Sequence, residues 1–172
     1  MPSRRYDVGA ETYMDLIMFK AILGHRFKIK DNEFTSIPFY NGKAFPYCGS
    51  FPTKSIDISE TKPGTPVFAN IYKNENKYIV SAIAHRDFIR DWDIFIPYKC
   101  VVTEYVQAKH IYVARIDEPS LNEHEFGRPI YISESILNDK LEIGKHIFLY
   151  IYASNDKYGK EYLWAAHVNY ID

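Results

Sequence analysis

The sequence predicts an all-β protein with minor α content, organised as two tandem small β-barrels with an N-terminal helix. Three observations predict it. Short runs alternate apolar and polar residues, the period of a half-buried strand. Turn-forming residues interrupt them at roughly 10-residue spacing. And blocks of the first half recur, in order, in the second half of the 172-residue chain.

The recurrence sets the domain organisation. His25–Lys30 lies over His110–Arg115 at an offset of 85 residues, and Gly42–Tyr47 over Gly127–Ile132 at the same offset. Gly64–Tyr72 matches Gly144–Tyr152 at offset 80, including Phe68/Phe148 and Tyr72/Tyr152. Ala84-His85 falls on Ala166-His167 at offset 82. The expected repeats are 1–91, with the helix, and 92–172.

In chain order, Glu11–Leu23 reads as a helix, with Gly24 as its C-cap. His25–Lys30 reads as a strand with His25, Phe27 and Ile29 on one face and Arg26, Lys28 and Lys30 on the other. Pro66–Lys73, a turn at Asn74–Lys77 and Tyr78–Ala84 read as a hairpin. Asp93–Pro97 and Val101–Gln107 read as further strands. Ser133–Asp139 has the capping composition for one or two helical turns. His146–Ala153 and Glu161–Val168, joined through Gly159, repeat the hairpin.

Composition narrows the function. At 47% hydrophobic and 25% charged residues the chain is globular. Its 21 basic and 22 acidic residues leave a charge of −1, which argues against a bulk grip on duplex DNA. No apolar run approaches the ~18 residues of a membrane helix. Cys48 and Cys100 make neither a disulfide framework nor a C-x-x-C site, so a cytoplasmic location is expected. Aromatic residues reach 16%, and the chain has 15 Tyr.

About five strands with a short helix between the third and fourth suggest a barrel of the oligonucleotide/oligosaccharide-binding (OB) type, or an SH3-like one. Asp93–Tyr98 resembles the aromatic third strand of cold-shock domains, and Pro129–Leu137 is similar to that strand and the turn after it. Leu141–Gly144 resembles the lead into their fourth strand. Pro97 and Ser133 stand where that family has a histidine. The resemblance implies stacking of single-stranded bases on Phe95, Tyr98 and Tyr131.

The expected function is therefore non-catalytic binding of single-stranded nucleic acid or a nucleoprotein assembly, through a basic and aromatic sheet face. Arg26, Lys28, Lys30, Lys43 and Arg128 would touch phosphate, and Phe45, Tyr47, Tyr112 and Tyr131 would stack. Residues 1–54 hold 8 basic and 5 acidic side chains, against 13 and 17 in 55–172. The bland reading of the basic strand is a sheet edge guarded by lysines. The alternative function is a protein-interaction, structural-assembly or inhibitor protein, whose tyrosines cover a partner. A second alternative is a metal-dependent hydrolase using His85, Asp87, Asp91 and Asp93, although the spacing fits a charged loop with Trp92 tucked in better than a metal site. The recurring histidines, His25/His110 and His85/His167, are expected to be structural. The sequence has no P-loop, dinucleotide fingerprint or nucleophile elbow, and no cofactor is expected.

Overall fold

Strand-forming residues dominate throughout, and strands are what the computed structural model of the chain contains; it describes residues 10–13, 16–58, 61–87, 89–117 and 127–170. The strands are β1 (Ala10–Tyr13), β2 (Leu16–Ile22), β3 (Arg26–Ile29), β4 (Asn32–Phe39), β5 (Tyr47–Pro52), β6 (Pro66–Asn74), β7 (Lys77–His85), β8 (Tyr98–Val106), β9 (Ile111–Ile116), β10 (Pro129–Ser133), β11 (His146–Asn155) and β12 (Glu161–Tyr170). Short 3-10 turns follow β5, β8 and β10. No helix among the described residues is long and apolar enough to cross a membrane. The chain divides into two compact units, Met1–Phe95 with Asn155–Lys160, and Ile96–Ser154 with Glu161–Asp172.

In the first unit, β2 pairs antiparallel with β6, from Phe19↔Ala69 to Ile22↔Pro66. It also meets β4 at Ala21↔Phe39. The Phe34–Phe39 part of β4 pairs antiparallel with the whole of β5. β5 runs parallel to β7 at Ser50↔Ile79, and β7 returns antiparallel to β6. The pairings therefore close a ring, β2–β4–β5–β7–β6–β2. The second unit repeats the ring as β8–β9–β10–β12–β11–β8. Its registers correspond: His146↔Val101 stands where the first unit has Pro66↔Ile22.

Each ring is tied by the same backbone device. In the first unit Gly64 N–H donates to Leu23 O (2.7 Å), Leu23 N–H to Thr65 O (2.8 Å) and Thr65 N–H to Lys62 O (3.3 Å). In the second, Gly144 N–H donates to Val102 O (2.7 Å), Val102 N–H to Lys145 O (3.0 Å) and Lys145 N–H to Glu142 O (3.3 Å). Both glycines have positive φ, +100° and +89°, which other residues adopt at a cost. The first strand bends beside this device. At Gly24 a Cβ would strike the Ser36 hydroxyl and lie 2.7 Å from the Ser36 carbonyl oxygen, so the chain passes there only without a side chain. β8 makes the bend with an irregularity between Val102 and Glu104.

The interior follows from strand alternation. In β11, Ile147, Leu149, Ile151 and Ala153 are buried while Phe148, Tyr150 and Tyr152 are half-buried on the other face. Phe19, Leu23, Ile37, Phe51, Val67 and Val80 belong to the first unit's core. Each large apolar side chain so buried contributes roughly 1.5–3 kcal/mol.

Several sequence expectations are corrected. Glu11–Leu23 is not a helix: it holds β1 and β2, paired with Tyr13 opposite Leu16. Its apolar residues fall on several faces, whereas a surface helix needs one stripe. A strand buried on both faces reads as a continuous apolar run instead. Met18, Phe19, Ala21 and Ile22 are indeed all buried. Asp93–Pro97 is not a strand either. Residues 91–94 form a turn, Phe95 N–H donates to Trp92 O (3.0 Å), and Phe95 plugs the interior at 2% exposure. Of Ser133–Asp139 only Glu134–Ile136 turns helically, with Ser135 N–H donating to the Ser133 hydroxyl.

Candidate nucleic-acid interface

The predicted basic row does not assemble as one patch. Arg26 and Lys28 are exposed on β3, but Lys30 stands in the following turn with φ +55°. β3 pairs only with β4 among the described strands, and Lys28 stands opposite Glu33. These cations flank the start of β4, while Lys43 follows its end. Eight strand residues separate those ends by about 23 Å. Lys43 Nζ is instead bound to the Tyr47 hydroxyl (3.1 Å) and sits 5.4 Å from that ring's centroid.

The predicted rings also separate. Tyr47 is half-buried against Phe39 (6.3 Å) and Tyr78 (5.5 Å), at the margin of the first core. Burial there pushes the Tyr78 hydroxyl pKa up, with Tyr47 adding and Lys43 opposing. Phe45 and Tyr112 are only 6% and 5% exposed, so their rings offer no free face to a base. That corrects their assignment as stacking surfaces. Alternation on β9 turns Tyr112 inward beside Ile132, its partner across the strands. Phe95 is likewise buried, and Tyr98 is half-buried opposite Leu149.

Tyr131 keeps a partly open face. It stands on β10 between inward-pointing Ile130 and Ile132, both fully buried. The parallel register puts Tyr131 beside Trp164 of β12, ring centroids 5.4 Å apart. Tyr162, two residues back on the same face, lies 6.1 Å from Tyr131. Across β9, Val113 stands opposite Tyr131 and exposed Arg115 opposite Pro129. Arg115 is anchored by a 2.6 Å bond to Gly127 O. Arg128 pairs with Glu161 at 3.3 Å, beside Pro129 and Tyr162 in sequence. Arg115, Tyr131, Trp164 and Tyr162 thus form one outward band over three neighbouring strands of the second unit. Arg115, Tyr162 and Trp164 were not selected from sequence, although alternation in Glu161–Val168 already sets Tyr162 and Trp164 opposite Leu163 and Ala165.

The carboxylates of the proposed metal cluster are each taken by a different basic side chain. His85 Nε2 meets Asp87 at 2.8 Å and Lys62 meets Asp91 at 3.1 Å, both exposed. Asp93 accepts from both terminal nitrogens of Arg86, at 2.6 and 3.3 Å. Arg86 is itself buried, bonding Ala21 O (3.3 Å) and lying over the Phe68 ring. This is a structural ion pair, and no group of three potential ligands occurs among the described residues. The histidines matched between the halves have unlike surroundings. His25 stacks on Trp92 (5.9 Å), whereas exposed His110 faces Glu134 (3.3 Å). His85 is exposed, while His167 is half-buried on Tyr150 and burial lowers its pKa. Both cysteines are free thiols, and burial pushes the Cys48 pKa up to about 12, which leaves it unreactive at neutral pH.

No protein-family model matches the chain, and neither a curated protein nor a solved structure matches it.

Proposed function

We propose that the protein is a non-catalytic binding protein of two OB-type barrels, whose second unit holds single-stranded nucleic acid by stacking bases on Tyr131, Trp164 and Tyr162. The band of three partly open rings with Arg115 carries this reading. The ring order supports it: counted within a unit, strands one, two, three, five and four close in turn, with a 3-10 turn between three and four. In the OB architecture the face of strands two and three takes the ligand, and here those strands are β9 and β10. Free thiols fit a reducing, cytoplasmic location.

The test is fluorescence anisotropy with labelled single-stranded oligonucleotides across a salt series. Stacking contributes roughly 1–3 kcal/mol per base. Tyr131→Ala and Trp164→Ala should therefore each weaken binding about 5- to 150-fold. Arg115→Ala should reduce the log–log salt slope by about 0.7, one phosphate contact. Absence of binding at low salt, or binding that survives Trp164→Ala, defeats the reading. Stable association with a protein and none with oligonucleotides would assign the same band to a protein partner.

A further inference from the structure

We infer that the second unit carries a docking pocket for an aromatic side chain flanked by carboxylates, presented by a partner protein. The chain's own first unit supplies the template. There the turn at Pro63–Gly64 is covered by Trp92, whose backbone N–H donates to Gly64 O at 2.9 Å. A Cβ on Gly64 would lie 2.5 Å from the indole nitrogen, so the ring rests directly on the glycine. Acidic residues flank Trp92 in sequence: Asp91 reaches Lys62 on the same turn (3.1 Å), and Asp93 reaches Arg86. Trp92 holds a left-handed backbone, φ +59°, which bulky residues rarely adopt. The ring is seated despite it.

The second unit builds the same turn with the same three backbone bonds, and no described residue covers it. Nothing among the described residues lies within 4 Å of a Cβ on Gly144, and Ile143 is 55% exposed. A cavity of about 260 Å³ opens beside the turn. Val102, Leu141 and Ile147 give it apolar walls, and Lys140, Glu142, Lys145 and His146 line it with them. A cavity of about 150 Å³ already admits a benzene ring. Of the acidic groups nearby, Glu142 stands 3.9 Å from Lys145 and Asp117 holds His146 at 3.1 Å, while the described residues give Lys140 no counterion. Glu142 stands where the first unit has Lys62, so the positive charge that suits a carboxylate beside the ring comes from Lys140. A peptide can also offer the amide that Trp92 gives to Gly64 O. A nucleotide brings a ring and negative charge, but its N–H donors lie on the ring itself and not on a backbone beside it.

The experiment titrates the isotope-labelled full chain with a peptide copying residues 89–95, Ile-Arg-Asp-Trp-Asp-Ile-Phe. Saturable amide shifts are expected at Val102 and residues 140–147. A peptide with alanine in place of the tryptophan should bind at least about tenfold more weakly, as should Lys140→Glu/Lys145→Glu protein with an unchanged melting temperature. Absence of saturable shifts overturns the proposal, as do shifts centred elsewhere or equal binding of the alanine peptide. Tighter saturation of the same residues by adenosine monophosphate also overturns it, in favour of a nucleotide site.

Discussion

Gly64→Ala and Gly144→Ala are the same substitution at the same turn of two similar rings, and they should differ sharply. Both place a side chain at positive φ, +100° and +89°, which costs roughly 1–2 kcal/mol. At Gly144 the new methyl meets nothing within 4 Å among the described residues, so strain is the expected effect there. At Gly64 the methyl would stand 2.5 Å from Trp92 Nε1 and 2.8 Å from Cε2, well inside contact distance. The indole must move. Trp92 is 7% exposed and packs on His25 and Phe95 (5.9 Å each), and losing a buried tryptophan's contacts costs about 3–5 kcal/mol. Partial displacement gives an expected excess of about 2–4 kcal/mol for Gly64→Ala. Urea denaturation followed by circular dichroism measures both losses, and tryptophan emission should shift to the red only in Gly64→Ala. Adding Trp92→Ala to Gly64→Ala should cost less than the sum of the two, since the clash is counted once. Equal losses in the two glycine variants, or unchanged emission, would refute the seat of Trp92 on Gly64.

Asp93→Ala should destabilise the protein by about 3–5 kcal/mol, because it strands an Arg86 side chain that is 3% exposed. Arg86→Met/Asp93→Leu should recover most of that in chemical denaturation, and a double variant as unstable as the single one would count against the buried pair. His167 gives a pH signature. Burial lowers its folded pKa below the ordinary 6.5, so the unfolded chain binds the proton first. Stability present above pH 6.5 is lost as pH falls from there through the folded value. His167→Gln should flatten the slope of stability against pH over that window, by at most about 1.4 kcal/mol per pH unit, and an unchanged slope contradicts the burial effect.

Local pattern made some of this legible and tertiary pairing hid the rest. The hairpins β6–β7 and β11–β12 were readable because period-two alternation, turn residues and strand pairing all lie within a short stretch. The matched block at Gly64 and Gly144 was readable because a positive-φ glycine is dictated by the turn itself. Where loop lengths differ, matching by sequence slips. Ala21↔Phe39 corresponds to Cys100↔Ile116, which sets the second strands 77 residues apart rather than 85. Lys30 looked like a third rung because nothing local shows where β3 turns back. Trp164 escaped notice because its neighbour Tyr131 is 33 residues away and reached only through a parallel pairing. Phe45 and Tyr112 looked available because the sequence shows a ring but not what closes over it.

The positions where the two rings differ are more informative than those they share. Ser50 and Ile79 in the first unit occupy the parallel pair that Tyr131 and Trp164 occupy in the second. Asn70, on β6, stands where β11 has Tyr150. A ring needs none of these outward aromatics to close, since the first unit closes with a serine and an asparagine there. Large rings on the outside of a closed ring of strands give up part of the burial that makes them stabilising. The same asymmetry recurs at the turn, which is plugged by Trp92 in one unit and uncovered among the described residues in the other. On the proposed reading, the first unit spends its aromatic and charged residues on its own stability, through Trp92 and the Arg86–Asp93 pair. The second leaves equivalent surfaces open, and substitutions there should alter binding with little effect on folding.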